Sequence, residues 1–124
     1  MQIKGIRHTC LAVKDMLKML EFYRNLGMAK ITRDRIEEGE YLEKTMGLPH
    51  ARVWVIYLEA EDGSLLELMQ MVSLSDENRS HIGFTVSESE GFESPYNPVK
   101  TKWIQDPEGN WLECVEVCQM GYQP

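Results

Sequence analysis

The sequence predicts an α+β fold made of two unequal modules, and three observations lead to it. Residues 62–70 return in near copy as residues 108–116, and each copy is an acidic-Gly turn followed by a strand with a central glutamate. A strand that carries a histidine also occurs twice, at His8 and at His81. Only the first half contains the spacing of an amphipathic helix. Because 124 residues form one domain by length, the modules are halves of a single fold.

The first module, residues 1–72, has the pattern of a strand, a helix and three more strands. Apolar residues at spacings of three and four predict the helix, which Asp15 can cap and Gly27 ends. Residues 36–49 mix turn signals with short-helix signals. The predicted strands are residues 6–13, 28–35, 52–60 and 65–72, with a hairpin turn at 61–63.

Strand alternation assigns the side chains of the first strand to two faces. One face holds Ile6, His8, Cys10 and Ala12, and the other holds Arg7, Thr9, Leu11 and Val13. His8 is therefore expected beside small apolar groups.

The second module is shorter and follows a polar connection at residues 73–80. It spans residues 81–118 and is followed by a tail, residues 119–124. Gly and Pro interrupt residues 87–99 too often for a helix, so this module is predicted to lack one. Its predicted strands are residues 81–86, 100–105 and 111–117, with a turn at 106–110.

The composition favours a small-molecule partner. A net charge of −7 opposes binding to nucleic acid or to an anionic membrane surface. No apolar run reaches the roughly 18 residues of a membrane span, and the first residues lack the apolar core of a signal peptide. The three cysteines, Cys10, Cys114 and Cys118, are expected to be free buried thiols in a reducing cytosol, so we expect a cytoplasmic protein.

The repeated glutamates, Glu67 and Glu113, need a structural reason. A carboxylate in the middle of an apolar strand costs several kcal/mol unless something pairs with it. A single strand glutamate usually lies on the solvated face of a sheet, and a single histidine is usually structural. Two glutamates and two histidines at matched positions of a repeat favour a shared metal ion instead. His50, in a turn, belongs to no such pattern and is expected at the surface.

Short motifs are spread through most of the chain: Arg7-His8-Thr9, Glu21-Phe22-Tyr23, Leu26-Gly27-Met28, Leu66-Glu67-Leu68, His81-Ile82-Gly83-Phe84 and residues 106–113. The turn of residues 106–110 before a strand with a central glutamate is the most specific of them. Together these motifs resemble those of the vicinal-oxygen-chelate superfamily, which contains glyoxalases, bleomycin-resistance proteins and extradiol dioxygenases. The resemblance implies two paired βαβββ-type modules in a U-shaped mixed sheet, here with a shortened second module.

The resemblance also implies a ligand set of His8, Glu67, His81 and Glu113, the pattern of bacterial-type glyoxalase I. Imidazole and carboxylate ligands suit one divalent ion of Zn, Ni, Co, Mn or Fe. The implied activity is that of a metal-dependent lyase or isomerase that acts on a small oxygenated molecule through an enediolate or enolate. Glu113 is the expected proton carrier, and Glu67 is a second one.

Two alternative functions remain open from the sequence. An extradiol-type Fe(II) dioxygenase needs two histidines and one carboxylate, which His8, His81 and Glu113 supply, although Glu67 would fill a position that oxygen and substrate need. A protein that binds a drug or metabolite without catalysis is the other alternative. Three tryptophans suit a stacking pocket for such a ligand: Trp54, Trp103 and Trp111.

The missing second helix predicts an uncovered apolar strip. The strip consists of Ile82, Phe84, Val86, Leu112 and Cys114. Because such a surface seldom stays in water, we expect a homodimer, or partial cover by the C-terminal tail.

Overall fold

A curled sheet of eight strands organises the computed structural model, which describes residues 1–73 and 77–122. Two short helices accompany the sheet, which confirms the α+β class. In chain order the elements are β1 (Ile3–Ala12), α1 (Met16–Asn25), β2 (Lys30–Glu38), α2 (Glu40–Met46), β3 (Arg52–Glu59), β4 (Leu65–Met71), β5 (His81–Val86), β6 (Phe92–Glu93), β7 (Val99–Gln105) and β8 (Trp111–Val117).

The sheet consists of two modules that meet at its centre. The strand order is β2-β3-β4-β1-β5-β8-β7-β6, so the first four positions belong to the first module. Strand β1 pairs antiparallel with β5, while β4 runs parallel to β1 and β8 runs parallel to β5. Each histidine strand therefore has its own glutamate strand as its other neighbour, as the paired-module prediction requires.

Helix α1 covers the outer face of the first module. Asp15 caps it by accepting a hydrogen bond from the Lys18 backbone N–H at 3.2 Å. Gly27 follows the helix with a φ of +106°, a conformation that favours glycine. The helix and the sheet together bury an apolar cluster of Val13, Met16, Ile56, Leu58 and Leu68.

Helix α2 lies on the concave side of the curl, in the stretch where the sequence mixes turn and helix signals. It contacts β2 of the first module and β6 and β7 of the second. Its residues Leu42 and Met46 join a second apolar cluster with Cys10, Ala51, Val53, Val55, Tyr57 and Met69. The concave side is thus apolar near α2, and the polar groups described below lie beside this cluster.

The second module is reduced in the way the sequence predicts. Among residues 77–122, all of which are described, no segment is helical. Strand β6 has only two residues, yet it occupies the outer sheet position that β2 holds in the first module. Residues 74–76 of the predicted connection lie outside the described part of the chain.

A register shift in β1 corrects the predicted facing of two residues. The pairing with β5 is irregular between Ile6 and His8, so strict alternation fails there. Ile6 is 71% exposed instead of sharing the face of His8. Arg7, predicted to lie on the opposite face from His8, lines the same cavity as His8.

The outer strip of the second module is only partly exposed. Ile82 is 38% exposed and Phe84 is half-buried, but Val86 and Cys114 are buried. The C-terminal tail does not supply cover as far as residue 122, because Tyr122 contacts Arg33 across the concave side. Residues 123–124 are outside the described part.

The cysteines are free, but one of them is not buried. Cys10 and Cys114 are buried, as predicted, whereas Cys118 is exposed just beyond the end of β8. Burial, together with the charges of Glu67 and Glu113, raises the pKa of Cys10 well above its ordinary value, so this thiol keeps its proton. No helix within the described residues has the length and apolar character that a membrane crossing requires.

The homodimer stays a prediction, and the exposed Ile82 on the outer face of the second module is where we expect the two chains to meet. We expect light scattering at micromolar concentration to give twice the mass of the 14.4 kDa chain. An Ile82→Glu substitution should shift the mass toward the monomer, because a charge in an apolar interface loses its hydration. A strictly monomeric wild-type protein would count against the dimer.

Gly83 on β5 is needed for the position of His8. A Cβ at residue 83 would overlap the His8 ring. We expect Gly83→Ala to lower the free energy of unfolding by about 1–3 kcal/mol, the usual cost of overpacking, as measured by urea denaturation. Gly5→Ala on the neighbouring strand is the control, because a Cβ there meets nothing within 4 Å. Equal effects of the two substitutions would contradict this role.

Candidate functional site

Four side chains converge on the concave side of the central strands, and they are those that the sequence singles out. Nε2 of His8 lies 3.1 Å from Nε2 of His81, 3.2 Å from Oε1 of Glu67 and 3.4 Å from Oε1 of Glu113. Nε2 of His81 lies 3.3 Å from the same Glu67 oxygen. The two modules therefore contribute one histidine and one glutamate each to a single cluster.

Strand pairing explains the convergence. Cys10 of β1 is opposite both Glu67 of β4 and His81 of β5, and Gly83 of β5 is opposite Glu113 of β8. Residues opposite one another in neighbouring strands point to the same face of a sheet. Parity thus places all four side chains on the concave face within four adjacent strands.

The two histidine rings are held in different ways. The Nδ1–H of His81 donates to the carbonyl oxygen of Arg79 at 2.8 Å, which leaves Nε2 as the free acceptor toward the cluster. Arg79 is itself buried and pairs with Glu77, and its guanidinium lies 3.8 Å from the centre of the Trp111 ring. Nδ1 of His8 has no hydrogen-bond partner among residues 1–73 and 77–122, so packing fixes its ring.

Packing around His8 comes from both modules. The Tyr57 ring centre lies 5.5 Å from that of His8, and the backbone of Gly83 closes the other side. A third ring, Trp103, lies 4.4 Å from the His81 ring. The histidines are therefore fixed without blocking the Nε2 atoms.

The ionisation of Glu67 is coupled to that of the two histidines. Burial opposes ionisation of Glu67, but the charges of His8 and His81 outweigh it and lower the pKa of Glu67 below its usual range. Burial also opposes the charged form of His81, yet the Glu67 carboxylate raises the pKa of His81 above its ordinary value. A carboxylate that stays ionised therefore draws positive charge onto its neighbour.

The two glutamates differ in access. The side chain of Glu67 is 9% exposed, and its Oε1 atom is buried without a hydrogen-bond partner among the described residues. The side chain of Glu113 is 20% exposed and lines the cavity beside the cluster. Glu113 is thus the carboxylate that a small molecule in the cavity would meet.

A second group of candidate ligands overlaps the first. Ligand atoms of His8, His81 and Glu113 all lie within 4.8 Å of one another, and so do those of Cys10, Glu67 and His81. Cys10 is predicted to be a structural thiol, and in the structure it lies opposite Glu67 in the pairing of β1 with β4.

The cavity residues that were not predicted as functional from the sequence include Arg7, Arg33, Tyr41 and Tyr57. Burial raises the pKa of Tyr41 to about 12, and burial with the charges of the two glutamates raises that of Tyr57 well above its ordinary value. Both phenols therefore keep their protons and are hydrogen-bond donors.

One sequence feature could have indicated part of the cavity wall, namely the polar residues at alternate positions of β2. Arg33, Arg35 and Glu37 are half-buried, whereas the residues between them are exposed. Glu37, which is not among the predicted site residues, pairs with Nε of Arg35 at 2.8 Å and lines the cavity. Burial raises the pKa of the Glu37 carboxyl.

Other residues that the sequence raised lie elsewhere. The side chain of His50 is 96% exposed, as expected for a surface turn. Trp54 donates from Nε1 to Asp34 at 2.7 Å and packs in the cluster under α1, away from the cavity. The Trp103 ring packs against the His81 ring, and Trp111, which pairs with His81 across β5 and β8, packs its ring on Trp103.

Solved structures with the same fold cover nearly the whole chain. A glyoxalase family protein from Bacillus cereus is 17% identical, with a TM-score of 0.54 over 94% of this chain and 95% of its own. A variant of Streptomyces coelicolor methylmalonyl-CoA epimerase in complex with 2-nitronate-propionyl-CoA is 15% identical, with a TM-score of 0.64 over 99% of each chain.

A methylmalonyl-CoA epimerase in complex with methylmalonyl-CoA and NH4+ is 16% identical, with a TM-score of 0.60 over 99% of this chain and 100% of its own. At these identities the likeness shows the fold. No curated protein sequence matches this chain significantly.

A family model settles the relationship at the level of the superfamily. The model of the glyoxalase/bleomycin resistance protein/dioxygenase superfamily matches residues 5–102, which is well over half of the chain. The chain belongs to the glyoxalase/bleomycin resistance protein/dioxygenase superfamily.

Proposed function

We propose that the protein is a metal-dependent isomerase or lyase that moves a proton on a small oxygenated molecule. In this proposal His8, Glu67, His81 and Glu113 hold one divalent metal ion. The observation that carries it is the set of contacts of 3.1 to 3.4 Å among the nitrogen and oxygen atoms of these four side chains.

Those spacings fit ligands of one ion. Histidine and carboxylate ligands lie about 2.0–2.2 Å from zinc and similar ions, so neighbouring ligand atoms are about 3.0 Å apart at right angles and about 3.4 Å apart at tetrahedral angles. The buried, unpartnered Oε1 of Glu67 supports the same assignment, because buried polar atoms normally have a partner.

The donor set narrows the choice of ion and the chemistry. Two imidazoles and two carboxylates suit Zn, Ni, Co, Mn or Fe in the divalent state. When bound, such an ion acts as a Lewis acid that stabilises negative charge on substrate oxygens. Proton transfer and hydrogen bonding to the substrate are assigned to the side chains around the ion.

Glu113 is the proposed proton carrier. It is more exposed than Glu67 and lines the cavity, so it can reach a carbon-bound proton of a molecule held there. Glu67, on the opposite module and more deeply buried, is the second candidate for returning the proton. The protonated phenol of Tyr57 can donate a hydrogen bond to a substrate oxygen in the same cavity.

The structural relatives support an isomerase or lyase over the alternatives. Two of them are methylmalonyl-CoA epimerases, and a carbon next to a thioester carbonyl can be inverted by removing its proton and returning one to the opposite face. An extradiol-type iron site would use His8, His81 and Glu113 and leave Glu67 out, yet Glu67 contacts both histidines. A protein that only binds a small molecule does not need the four-residue cluster. The measurement of metal content distinguishes this alternative from the enzyme.

Metal content tests the site. We expect elemental analysis of the purified protein to find about one divalent ion per chain, and His8→Ala to lose it because a ligand is removed. His50→Ala is the matched control, because that side chain is exposed in a turn, and it should keep the ion. Absence of metal from wild type, even after incubation with Zn, Ni, Co, Mn or Fe, would leave only the binding function.

Glu113→Gln tests the proton carrier. The variant should keep the metal while losing about 10²- to 10⁴-fold in proton exchange, because the amide cannot accept the proton. Exchange is measured by NMR in D2O with methylmalonyl-CoA and a panel of 2-oxo and 2-hydroxy acids. Glu108→Gln, in an exposed turn, is the control. Unchanged exchange in Glu113→Gln would reject the assignment.

A further inference from the structure

We propose that Arg7 and Arg33 form an anion-binding subsite beside the four-residue cluster, so that the substrate carries a carboxylate or phosphate in addition to the oxygens at the metal. This inference rests on the proposed function, since it concerns the substrate of the same cavity. It concerns two residues that neither the predicted ligand set nor the predicted proton carriers include.

The two arginines come from different strands but face one cavity. The register shift in β1 turns Arg7 toward the side of His8, and alternation along β2 turns Arg33 toward the same side. Both side chains line the cavity together with Glu67 and Glu113. Their charges are near enough that Arg33 contributes to lowering the pKa of Arg7, although burial is the larger cause.

These two guanidinium groups differ from the other cavity-side arginine in having no acidic partner. Arg35 pairs with Glu37 at 2.8 Å, and elsewhere Arg52 pairs with Glu38 and Arg79 with Glu77. Within residues 1–73 and 77–122, no carboxylate lies at ion-pair distance from Arg7 or Arg33.

The contacts that the two arginines do make are neutral. Nη1 of Arg7 donates to Oγ1 of Thr85 at 3.3 Å. Nη2 of Arg33 donates to Oδ1 of Asn97 and to the hydroxyl of Tyr122, each at 3.3 Å. Arg33 also stacks on the Tyr57 ring at 4.3 Å. These contacts orient the guanidinium groups without neutralising them, which is the arrangement that binds an anion.

The charge balance of the cavity points the same way. In the proposed site the two glutamates balance one divalent ion, and Glu37 balances Arg35. Arg7 and Arg33 then leave two positive charges in a partly buried space. A neutral substrate would leave both uncompensated, whereas one with an anionic group would pair with them in place of lost hydration. Charge that develops on the substrate during proton transfer would be stabilised by the same pair.

Matched ligands test the subsite. The probes are oxaloacetate, 2-oxoglutarate and 2-oxoadipate, each compared with the 2-oxo monocarboxylate of equal chain length, and phosphonopyruvate as the phosphate-like arm. Calorimetry on the metal-loaded protein should show at least one dianionic probe binding about tenfold or more tightly than its monoanionic counterpart. If a dicarboxylate gains more affinity over its monocarboxylate than phosphonopyruvate gains over pyruvate, the subsite is specific for a carboxylate. The reverse order indicates a phosphate group.

Three variants locate the effect. Arg7→Met and Arg33→Met should each reduce the preference to about twofold or less, while the metal content stays unchanged. Arg24→Met on the exposed side of α1 is the control and should keep the preference. Thermal melting followed by circular dichroism checks that each variant is folded. The two arginine substitutions then test the subsite independently of each other.

The outcomes separate this inference from the proposed function. No preference in wild type, or a preference that survives both Arg7→Met and Arg33→Met, would overturn the subsite even if metal and proton exchange are present. If the protein binds no metal, the proposed function fails, and the subsite is measured with succinate and inorganic phosphate alone. Binding that either arginine variant weakens about tenfold then supports the subsite, and equal binding rejects it.

Discussion

The antiparallel pairing of β1 with β5 is the contact on which the site depends. It is the junction between the modules, and it brings His8 and His81 within 3.1 Å of each other although they are 73 residues apart in the chain. Gly83 permits this closeness, since a side chain there would displace the His8 ring. The parallel strands on either side, β4 and β8, then place one glutamate beside each histidine.

Burial of charge is the main cost of this arrangement, and the structure limits it by pairing. Glu67 lies against two histidines, Arg79 lies between Glu77 and the Trp111 ring, and Glu37 pairs with Arg35. Breaking such a buried pair costs several kcal/mol, because it leaves one charge without a partner.

The inequality of the two modules shapes the cavity as well as the outer face. In the first module α1 covers the sheet, and α2 lies within the curl against strands of both modules. In the second module the irregular residues before β7 contribute Ser94 and Asn97 to the cavity wall, where Asn97 accepts a hydrogen bond from Arg33. Tyr122 in the tail contacts the same arginine. The shortened module thus supplies wall residues from loops instead of a helix.

The sequence by itself determined helix α1, strands β1 to β5, β7 and β8, the two modules and the parity of the four clustered side chains. These follow from local rules: alternation along a strand, spacing along a helix, and a repeat that conserves the position of a glutamate between its two copies. The facing of Arg7, the burial of Glu37 and the meeting of Arg33, Tyr57 and Tyr122 around one cavity were decided only by the tertiary structure. A register shift and the curl of a sheet arise from pairing between distant strands, and no local pattern encodes which side chains that pairing brings together.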